Sequence, residues 1–366
     1  MSNKPVVISP RPNVVSAELI EIKPPVHKKR ELDILTALLC LVVIYIHVAG
    51  EAVFSYDRTT LSYAAVSIPF SAALFAVPAF ILLASVKFTI SSQNKTFHYG
   101  KFMLGRLKLI YLPYLLWNVI YYSYFLSRRW FPFDINGLAR HIWIGDLSGQ
   151  FYFIVVIMQF YLLAPVWRKF AALRVNYAVI AAFITIIPAI YFNNYSNIPY
   201  TDRIFITYLP YWLMGIVIGA HYDKFILFLR RRKAALIAST ILIAAFHQIY
   251  SYLHSRQILF YSYSEQMHVL YNFLMIFSII FICVYINKPK IYAVCKPLAA
   301  ASYYIFLSHC LVLTDVRIRM SDAGIYSVTT RFWVSAAATY IIPVVLSIAY
   351  VKLKPLIKGI IQKPST

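Results

Sequence analysis

The chain has 366 residues, of which 61% are hydrophobic and only 13% are charged, which excludes a soluble domain of this length. Its formal net charge of +22 would suit a nucleic-acid-binding protein, but the lysines and arginines flank long apolar stretches, where they set the topology of membrane proteins. We therefore predict a polytopic membrane protein that contacts the lipid bilayer and binds no nucleic acid.

The first segment, residues 1–30, contains five prolines and ends in KKR. It has no apolar run of signal-peptide length, so we expect a disordered, basic cytosolic tail. After this tail, ten apolar segments are long enough, or nearly long enough, to cross a bilayer as helices of about 20 residues. These predicted spans lie roughly at 34–55, 61–86, 107–126, 151–170, 175–192, 204–221, 234–253, 268–287, 297–314 and 330–351.

Lysine and arginine side chains fall mainly on one side of the ten predicted spans. When the loops are assigned to alternate sides, 26 of the 35 cations lie on the side of both termini and 9 lie on the other. The positive-inside rule then places both termini in the cytosol. The predicted organisation is an all-α polytopic transmembrane domain at 31–352, between the tail at 1–30 and a cytosolic C-terminal tail at 353–366.

The first predicted span carries two ionisable residues in the apolar stretch CLVVIYIHVAGEAV, residues 40–53. His47 follows Asp33 by 14 residues, or roughly 21 Å along a helix, which places it in the outer half of the bilayer. Glu51 lies one turn further on the same face, where a carboxylate can orient an imidazole and raise its basicity. A structural histidine is the alternative, but ionisable groups in membrane helices are costly and usually functional.

A second histidine, His309, lies in SYYIFLSHCLVL at 302–313, and the predicted topology puts it at a similar depth to His47. Two histidines at one depth on separate helices are consistent with a buried polar site that opens outward. Without a third ligand they make a weak metal site, so we expect no bound metal. The four cysteines, Cys40, Cys283, Cys295 and Cys310, show neither a metal-binding spacing nor a disulfide framework.

A cluster of cations marks the cytosolic start of the third predicted span, in GKFMLGRLKLIYLPYLLWN at 100–118. Lys101, Arg106 and Lys108 either anchor the helix at the interface or bind a phosphate-rich ligand, since guanidinium and ammonium groups pair well with phosphates. The longest external loop, at 127–150, is rich in Trp and Phe, so we expect it to lie at the interface or to fold over the site.

Five segments in chain order resemble the integral membrane acyltransferase-3 family, and the resemblance covers most of the chain, from about residue 31 to 350. The first span is similar to the family's opening helix, because Asp33 near its start and His47 late in it match. The FYFIVVIMQFYLL stretch is most similar to the branch linked to poly-N-acetylglucosamine, the intercellular adhesion polysaccharide, whose members are described as exporters or as succinyltransferases. The other four segments are VPAFILLAS at 77–85, RLKLIYLPYLLWN at 106–118, GQFYFIVVIMQFYLLAPVW at 149–167 and SYYIFLSHCLVL at 302–313.

The chain departs from the family pattern at three places. The usual Ser-Gly of the second span is replaced by Ala84-Ser85. The family carries Arg or Lys eleven residues before the histidine, about 16 Å away on the same helix face, where this chain has Thr36. Its second arginine of the third span falls at Leu109, so Arg106 alone carries over, with Lys108 as a possible substitute. Other cations that could supply the charge missing at position 36 are Lys28, Lys29 and Arg30.

The resemblance implies a bacterial plasma-membrane O-acyltransferase that moves an acetyl or succinyl group from cytosolic acyl-CoA to a hydroxyl of a surface polysaccharide, glycan or lipid-linked sugar. Acyl-CoA is then a co-substrate, no cofactor is bound, and proteins of polysaccharide synthesis are the expected partners. The residues assigned are His47 as general base, Glu51 and His309 in its support, and Arg106, Lys108 and Lys101 for donor binding. The alternative is a non-enzymatic component for export or assembly of a polysaccharide such as poly-N-acetylglucosamine, which the missing cations favour.

Overall fold

The structure, a computed structural model, describes residues 29–93, 96–260 and 264–361. The predicted N-terminal tail falls outside these ranges except for Lys29 and Arg30. Within them the chain is helical and contains no strand. The α-helices are α1 Arg30–Ser55, α2 Leu61–Ala73, α3 Ala76–Ser92, α4 Tyr99–Arg106, α5 Leu112–Ser127, α6 Ile135–Ile144, α7 Tyr152–Leu162, α8 Ala164–Ala171, α9 Val175–Ile184, α10 Ile186–Tyr195, α11 Leu209–Ala220, α12 Tyr222–Arg231, α13 Lys233–Ser255, α14 Ser264–Tyr285, α15 Pro289–Asp322 and α16 Val328–Ile361.

The all-α, multi-pass architecture expected from hydropathy is confirmed. In the described residues, eight helical stretches are long and apolar enough to cross a membrane, and the number rises to ten if two bent helix pairs each count as one span. The pair α7 and α8 is bent by 63°, because Pro165 at the start of α8 cannot donate a backbone hydrogen bond to α7. The stretch Phe205–Ala220 meets α12 at 97°. The first pair corresponds to the fourth predicted span, at 151–170, and the stretch Phe205–Ala220 corresponds to the sixth, at 204–221.

Helix α1 lies at the centre of the bundle, where it packs against α2, α3, α14, α15 and α16. It is buried along much of its length, at Ile34, Leu39 and Ala49 among others. We call the two ends of the bundle the Arg30 end and the Ser55 end, after the first and last residues of α1. Because α15 packs along α1, the two histidines of the sequence analysis lie on neighbouring helices.

The helix pair α3 and α11 packs backbone to backbone because α11 carries two glycines four residues apart. A Cβ atom at Gly215 would lie 2.6 Å from the carbonyl oxygen of Leu82, and one at Gly219 would lie 2.7 Å from Thr89 Cβ. Ser85 Oγ adds a hydrogen bond to the carbonyl of Trp212 at 2.6 Å. Small residues at this spacing allow close approach of membrane helices, so the contact fixes the position of α3 in the bundle.

The third membrane-spanning stretch changes its winding at Leu107–Tyr111, which forms a π-helix between α4 and α5. Such segments are rare and often occur at functional sites. The carbonyl of Ile110 in this segment accepts a hydrogen bond from Tyr303 Oη of α15 at 2.5 Å. The π-helix therefore begins directly after Arg106 and is tied to the helix that carries His309.

The last helix continues beyond the predicted end of the membrane domain at residue 352. Helix α16 runs to Ile361, through Pro355, into the segment predicted as a cytosolic tail. Lys354 Nζ donates to Tyr304 Oη of α15 at 2.8 Å, which fixes this part of the helix against its neighbour. A drop in hydropathy marks the end of an apolar stretch, whereas the helix itself ends further on.

Candidate functional site

The structure brings His47 of α1 and His309 of α15 together, with ring centroids 5.0 Å apart and ring planes inclined by 59°. His309 is fully buried, and its Nδ1 lies 3.0 Å from the carbonyl oxygen of Ile305. A carbonyl only accepts, so Nδ1 carries the proton and Nε2 presents the basic lone pair. Within the described chain the His47 ring makes no side-chain hydrogen bond, which leaves its nitrogens available to a substrate.

A third metal-ligating side chain lies beside the two histidines. Cys310 Sγ is 3.3 Å from His309 Nε2. The ligand atoms of His47, His309 and Cys310 all lie within 4.8 Å of one another. The expectation of two histidines without a third ligand is therefore corrected, since these three residues could hold a soft metal such as zinc. Adjacent positions on an ideal helix point about 100° apart, so spacing alone did not associate Cys310 with this site.

Glu51, predicted to orient His47, is held instead by two arginines from other helices. Arg331 Nε of α16 donates to Glu51 Oε1 at 2.6 Å, and Arg317 Nε of α15 lies 2.6 Å from Oε2. Arg317 Nη2 also donates to the carbonyl of Val48 at 2.9 Å. The cluster joins α1, α15 and α16 close to the histidines, so Glu51 fixes the helices that carry them.

A cavity of about 550 Å³ connects the histidines with cations at the opposite end of α1. His47 and His309 line one part of it, and Lys87 and Arg106 line another. Thr36 and His47 are eleven residues apart on α1, so these two parts are separated by about 16 Å. The wall between them is mainly aliphatic and aromatic, with Val43, Ile44, Phe80, Ile157, Tyr303 and Phe306 among its residues.

The cationic part of the cavity is built around Thr36, the position where the resembling family carries Arg or Lys. Lys87 Nζ of α3 donates to Thr36 Oγ1 at 2.6 Å, and Thr36 Oγ1 donates to the carbonyl of Leu32 at 2.6 Å. The Arg106 guanidinium lies 4.9 Å from the centre of the Phe102 ring and 4.8 Å from that of Tyr161, so it is held between two aromatic faces.

Lys87 is the functional candidate that the sequence analysis missed. The second predicted span ended at residue 86, although α3 continues to Ser92 and carries Lys87 inside the bundle. A lysine within an apolar helix is the signal that could have identified it. Lys101 and Lys108, by contrast, are exposed and do not line the cavity.

The cations at the start of α1 have other partners. Lys29 Nζ contacts Asp223 Oδ1 at 2.5 Å, and the Arg30 guanidinium lies 5.2 Å from the centre of the Tyr292 ring. Lys28 is outside the described residues. The charge missing at position 36 is therefore supplied across the helix interface by α3.

The end of the segment 127–150 folds against the histidines. Ser148 Oγ donates to Gln150 Oε1 at 2.7 Å, and Gln150 Nε2 donates to Tyr121 Oη at 3.0 Å. These bonds hold Gly149 so close to the site that a Cβ atom there would lie 3.7 Å from His47 Cε1. This segment thus bounds the cavity at the Ser55 end.

Comparison with known proteins agrees with this architecture. Residues 29–351 match the family described as an acyltransferase domain. A curated relative from Staphylococcus epidermidis, named probable poly-beta-1,6-N-acetyl-D-glucosamine export protein, is 24% identical over 303 residues, covering 79% of this chain and 82% of the relative. A Staphylococcus aureus protein of the same name is 24% identical over 312 residues, covering 78% of this chain and 83% of the relative.

No solved structure matches the chain. The family match nevertheless covers nearly all of the membrane-spanning bundle, and it includes both histidines and the cationic part of the cavity. The chain therefore belongs to the acyltransferase-3 family of integral membrane proteins.

Proposed function

We propose that this protein is a membrane O-acyltransferase that moves an acetyl or succinyl group from cytosolic acyl-CoA to a hydroxyl of a surface polysaccharide. The observation that carries the proposal is the single cavity that connects Lys87 and Arg106 with His47 and His309. The cationic part of the cavity can bind the phosphates of the donor. The basic imidazoles in the other part can accept the proton of a hydroxyl and so activate it.

The donor binds with its phosphates at the Arg30 end, which is the cytosolic face in the predicted topology. Lys87 and Arg106 contact the phosphates, and the linear acyl-bearing arm extends along the apolar wall toward the histidines. The arm is uncharged over most of its length, so aliphatic and aromatic side chains can cover it. Lys101 and Lys108, which were predicted to bind the donor, remain at the surface and contribute only to the charge of that face.

Transfer takes place at the histidines. The sugar hydroxyl oxygen attacks the thioester carbonyl carbon, and the hydroxyl proton passes to a ring nitrogen of His47. The carbon–sulfur bond breaks, and the departing thiolate of coenzyme A takes that proton. His309, whose tautomer is set by the Ile305 carbonyl, lies with its ring 5.0 Å from the His47 ring and positions that ring beside the reacting hydroxyl. Direct transfer is favoured over an acyl-cysteine, because Cys310 is not among the described residues that line the cavity, and Cys40, which does line it, lies seven residues or about 10 Å from His47 along α1.

The test is mass spectrometry of surface glycan from cells that express the wild type or His47→Ala at matched membrane abundance. Removing a general base lowers rates by about 10²–10⁴-fold, so the ester should nearly vanish in the variant. The control is His98→Ala, which removes an exposed histidine before α4 and should leave the ester unchanged. Equal ester content in the wild type, His47→Ala and His98→Ala would refute the proposed acyltransferase activity.

The second candidate is a non-enzymatic component for polysaccharide export or assembly, which the names of both staphylococcal relatives favour. The same experiment distinguishes it. An export component should change the amount of polysaccharide at the surface while the ester content per sugar stays constant, and it should tolerate His47→Ala if the helices still pack.

A further inference from the structure

The ligand atoms of His47, His309 and Cys310 converge on one point between α1 and α15. Because these atoms all lie within 4.8 Å of one another, an ion placed between them is at most about 2.8 Å from each. Zinc binds nitrogen at about 2.0 Å and sulfur at about 2.3 Å, so two ligand atoms of one ion lie about 3.3–3.6 Å apart. His309 Nε2 and Cys310 Sγ are already 3.3 Å apart. Side-chain movements of about 1 Å therefore complete the ligand set.

The two histidines present the nitrogens that an ion needs. His309 Nδ1 is bonded to the carbonyl oxygen of Ile305 at 3.0 Å, so Nε2 carries the lone pair. Histidine ligands of metal ions usually donate their other ring N–H to a carbonyl or a carboxylate, because this bond fixes the ring and raises its basicity. The His47 ring is half-buried and lines the 550 Å³ cavity, so an ion in the cavity meets this ring first.

The charges beside the three ligands permit a divalent cation. Binding of the ion ionises the buried thiol of Cys310 and releases its proton to water, so the thiolate offsets one of the two positive charges. Arg317 is the arginine whose charge acts on both His47 and Cys310, and its Nε lies 2.6 Å from Glu51 Oε2. The Glu51 carboxylate therefore opposes the repulsion between this guanidinium and a bound cation.

The chemistry of the ligands selects the metal. Two imidazoles and one thiolate suit zinc and other thiophilic ions, whereas Mg²⁺ and Ca²⁺ require oxygen ligands. Three protein ligands also leave one position of a tetrahedral ion open. Because His47 lines the cavity, water from the cavity can occupy this position.

We propose that His47, His309 and Cys310 bind one zinc ion and that the bound ion inhibits the protein. The ion enters through the cavity and takes the lone pair of the His47 ring. A histidine bound to zinc cannot accept the proton of a sugar hydroxyl, so acyl transfer stops until the ion leaves. The binding of zinc follows from the geometry of the three ligands, whereas its inhibitory effect rests on the proposed function.

Zinc binding is measured on the full-length protein in lipid nanodiscs without acyl-CoA, by competition with a chromogenic chelator. We expect one zinc ion per chain, release of one proton per zinc ion, and no competition by Mg²⁺. His309→Ala and Cys310→Ser should each weaken binding at least about a hundredfold, because even loss of a group that supports a ligand costs 10–100-fold. The matched control is Cys283→Ser, which changes a buried cysteine of α14 outside the described lining of the cavity and should bind zinc as the wild type does.

Spectroscopy identifies the ligands without depending on a variant that folds. X-ray absorption of the zinc-loaded wild type should show one sulfur ligand, and Co²⁺ in place of zinc should give a thiolate-to-cobalt charge-transfer band. Cys283→Ser should keep this band and Cys310→Ser should lose it. A metal shell without sulfur, or equal zinc affinity of Cys310→Ser and Cys283→Ser, would overturn the site.

Inhibition is measured as acyl transfer in the same nanodiscs at buffered concentrations of free zinc. The rate for the wild type should fall with a midpoint at the Kd for zinc and recover when a chelator is added. Transfer that continues while zinc is bound would overturn the inhibition. If zinc binds as described but the wild type forms no ester, the proposed function fails and the metal site stands. If no zinc binds while the ester depends on His47, only this inference fails.

Discussion

Lys87 is a charged side chain on a mainly apolar helix, and its ammonium group lies 2.6 Å from Thr36 Oγ1. The cation that the resembling family carries at position 36 is thus supplied from α3, which reaches the same space from the opposite wall of the cavity. The absence of a cation at Thr36, which favoured the export alternative in the sequence analysis, therefore loses much of its weight.

We expect Lys87→Met to raise the KM for acyl-CoA roughly ten- to a hundredfold, because a charge-assisted hydrogen bond to a phosphate contributes about 1.5–3 kcal/mol. The KM is measured from the initial rates of acyl transfer in membrane vesicles at increasing acyl-CoA concentration. Lys101→Met is the control, since Lys101 is exposed and outside the cavity, and it should leave KM unchanged.

The exchange variant Thr36→Lys with Lys87→Thr returns the ammonium group to α1 and should recover part of the affinity for acyl-CoA. Equal KM values for Lys87→Met and Lys101→Met would show that the donor does not contact Lys87.

At the scale of single residues, the sequence identified candidates by the free-energy cost of placing an ionisable group in the bilayer and by their depth in it. It could not identify the partners of those residues. His47 and His309 were identified because burying an imidazole in an apolar helix is energetically unfavourable. Their similar depth followed from the predicted topology. Glu51 shares a helix face with His47, yet it pairs with Arg317 and Arg331, which are 266 and 280 residues further along the chain. No periodicity within one helix contains that information.

At the scale of elements, the contact between α3 and α11 depends on Gly215 and Gly219. The atom nearest to a Cβ at Gly215 is a backbone oxygen, which cannot move away as a flexible side chain can. Because α3 carries Lys87 and part of the cavity wall, the spacing of this helix pair also sets the width of the cationic part of the cavity.

We expect Gly215→Ala to lower the free energy of unfolding by about 1–3 kcal/mol through overpacking. The change in the free energy of unfolding is measured by thermal unfolding in detergent, followed by the intrinsic fluorescence of the protein. Gly105→Ala is the matched control, because nothing lies within 4 Å of a Cβ there, and it should be neutral or slightly stabilising. A Gly215 variant as stable as the control would show that α3 and α11 can separate without cost.

Helix existence was predictable from hydropathy, whereas helix shape was not. The apolar stretches are helical because no water pairs with an open backbone inside a bilayer. The bend of 97° between α11 and α12, and the π-helix after Arg106, arise from local hydrogen bonds and from packing against other helices. These interactions contribute no pattern to a hydropathy profile.

At the scale of the whole molecule, eight and ten crossings both return the chain to the side on which it began. The two counts differ in the sides assigned to the connections between α8 and α9 and between α10 and α11. With ten crossings Leu173 is cytosolic and Asn197 external, and with eight the assignment reverses.

We predict ten crossings and cytosolic termini, because this arrangement places 26 of the 35 cations inside. The measurement is labelling of single cysteines by a membrane-impermeant maleimide in intact cells, in a variant without the four native cysteines. Asn197→Cys and Arg58→Cys should be labelled, while Leu173→Cys should need permeabilised cells. Labelling of Leu173→Cys in intact cells together with protection of Asn197→Cys would establish eight crossings.

The neutral wall between the cationic part of the cavity and the histidines has an electrical consequence. If the donor phosphates stay at Lys87 and Arg106, only the acyl end crosses the region over which the membrane potential falls. The potential does no work on a neutral acetyl group during that passage. A succinyl group carries a carboxylate, and an inside-negative membrane would favour its outward movement by up to about 2.3 kcal/mol per 100 mV. The same protein would then be voltage-independent with one donor and voltage-assisted with the other.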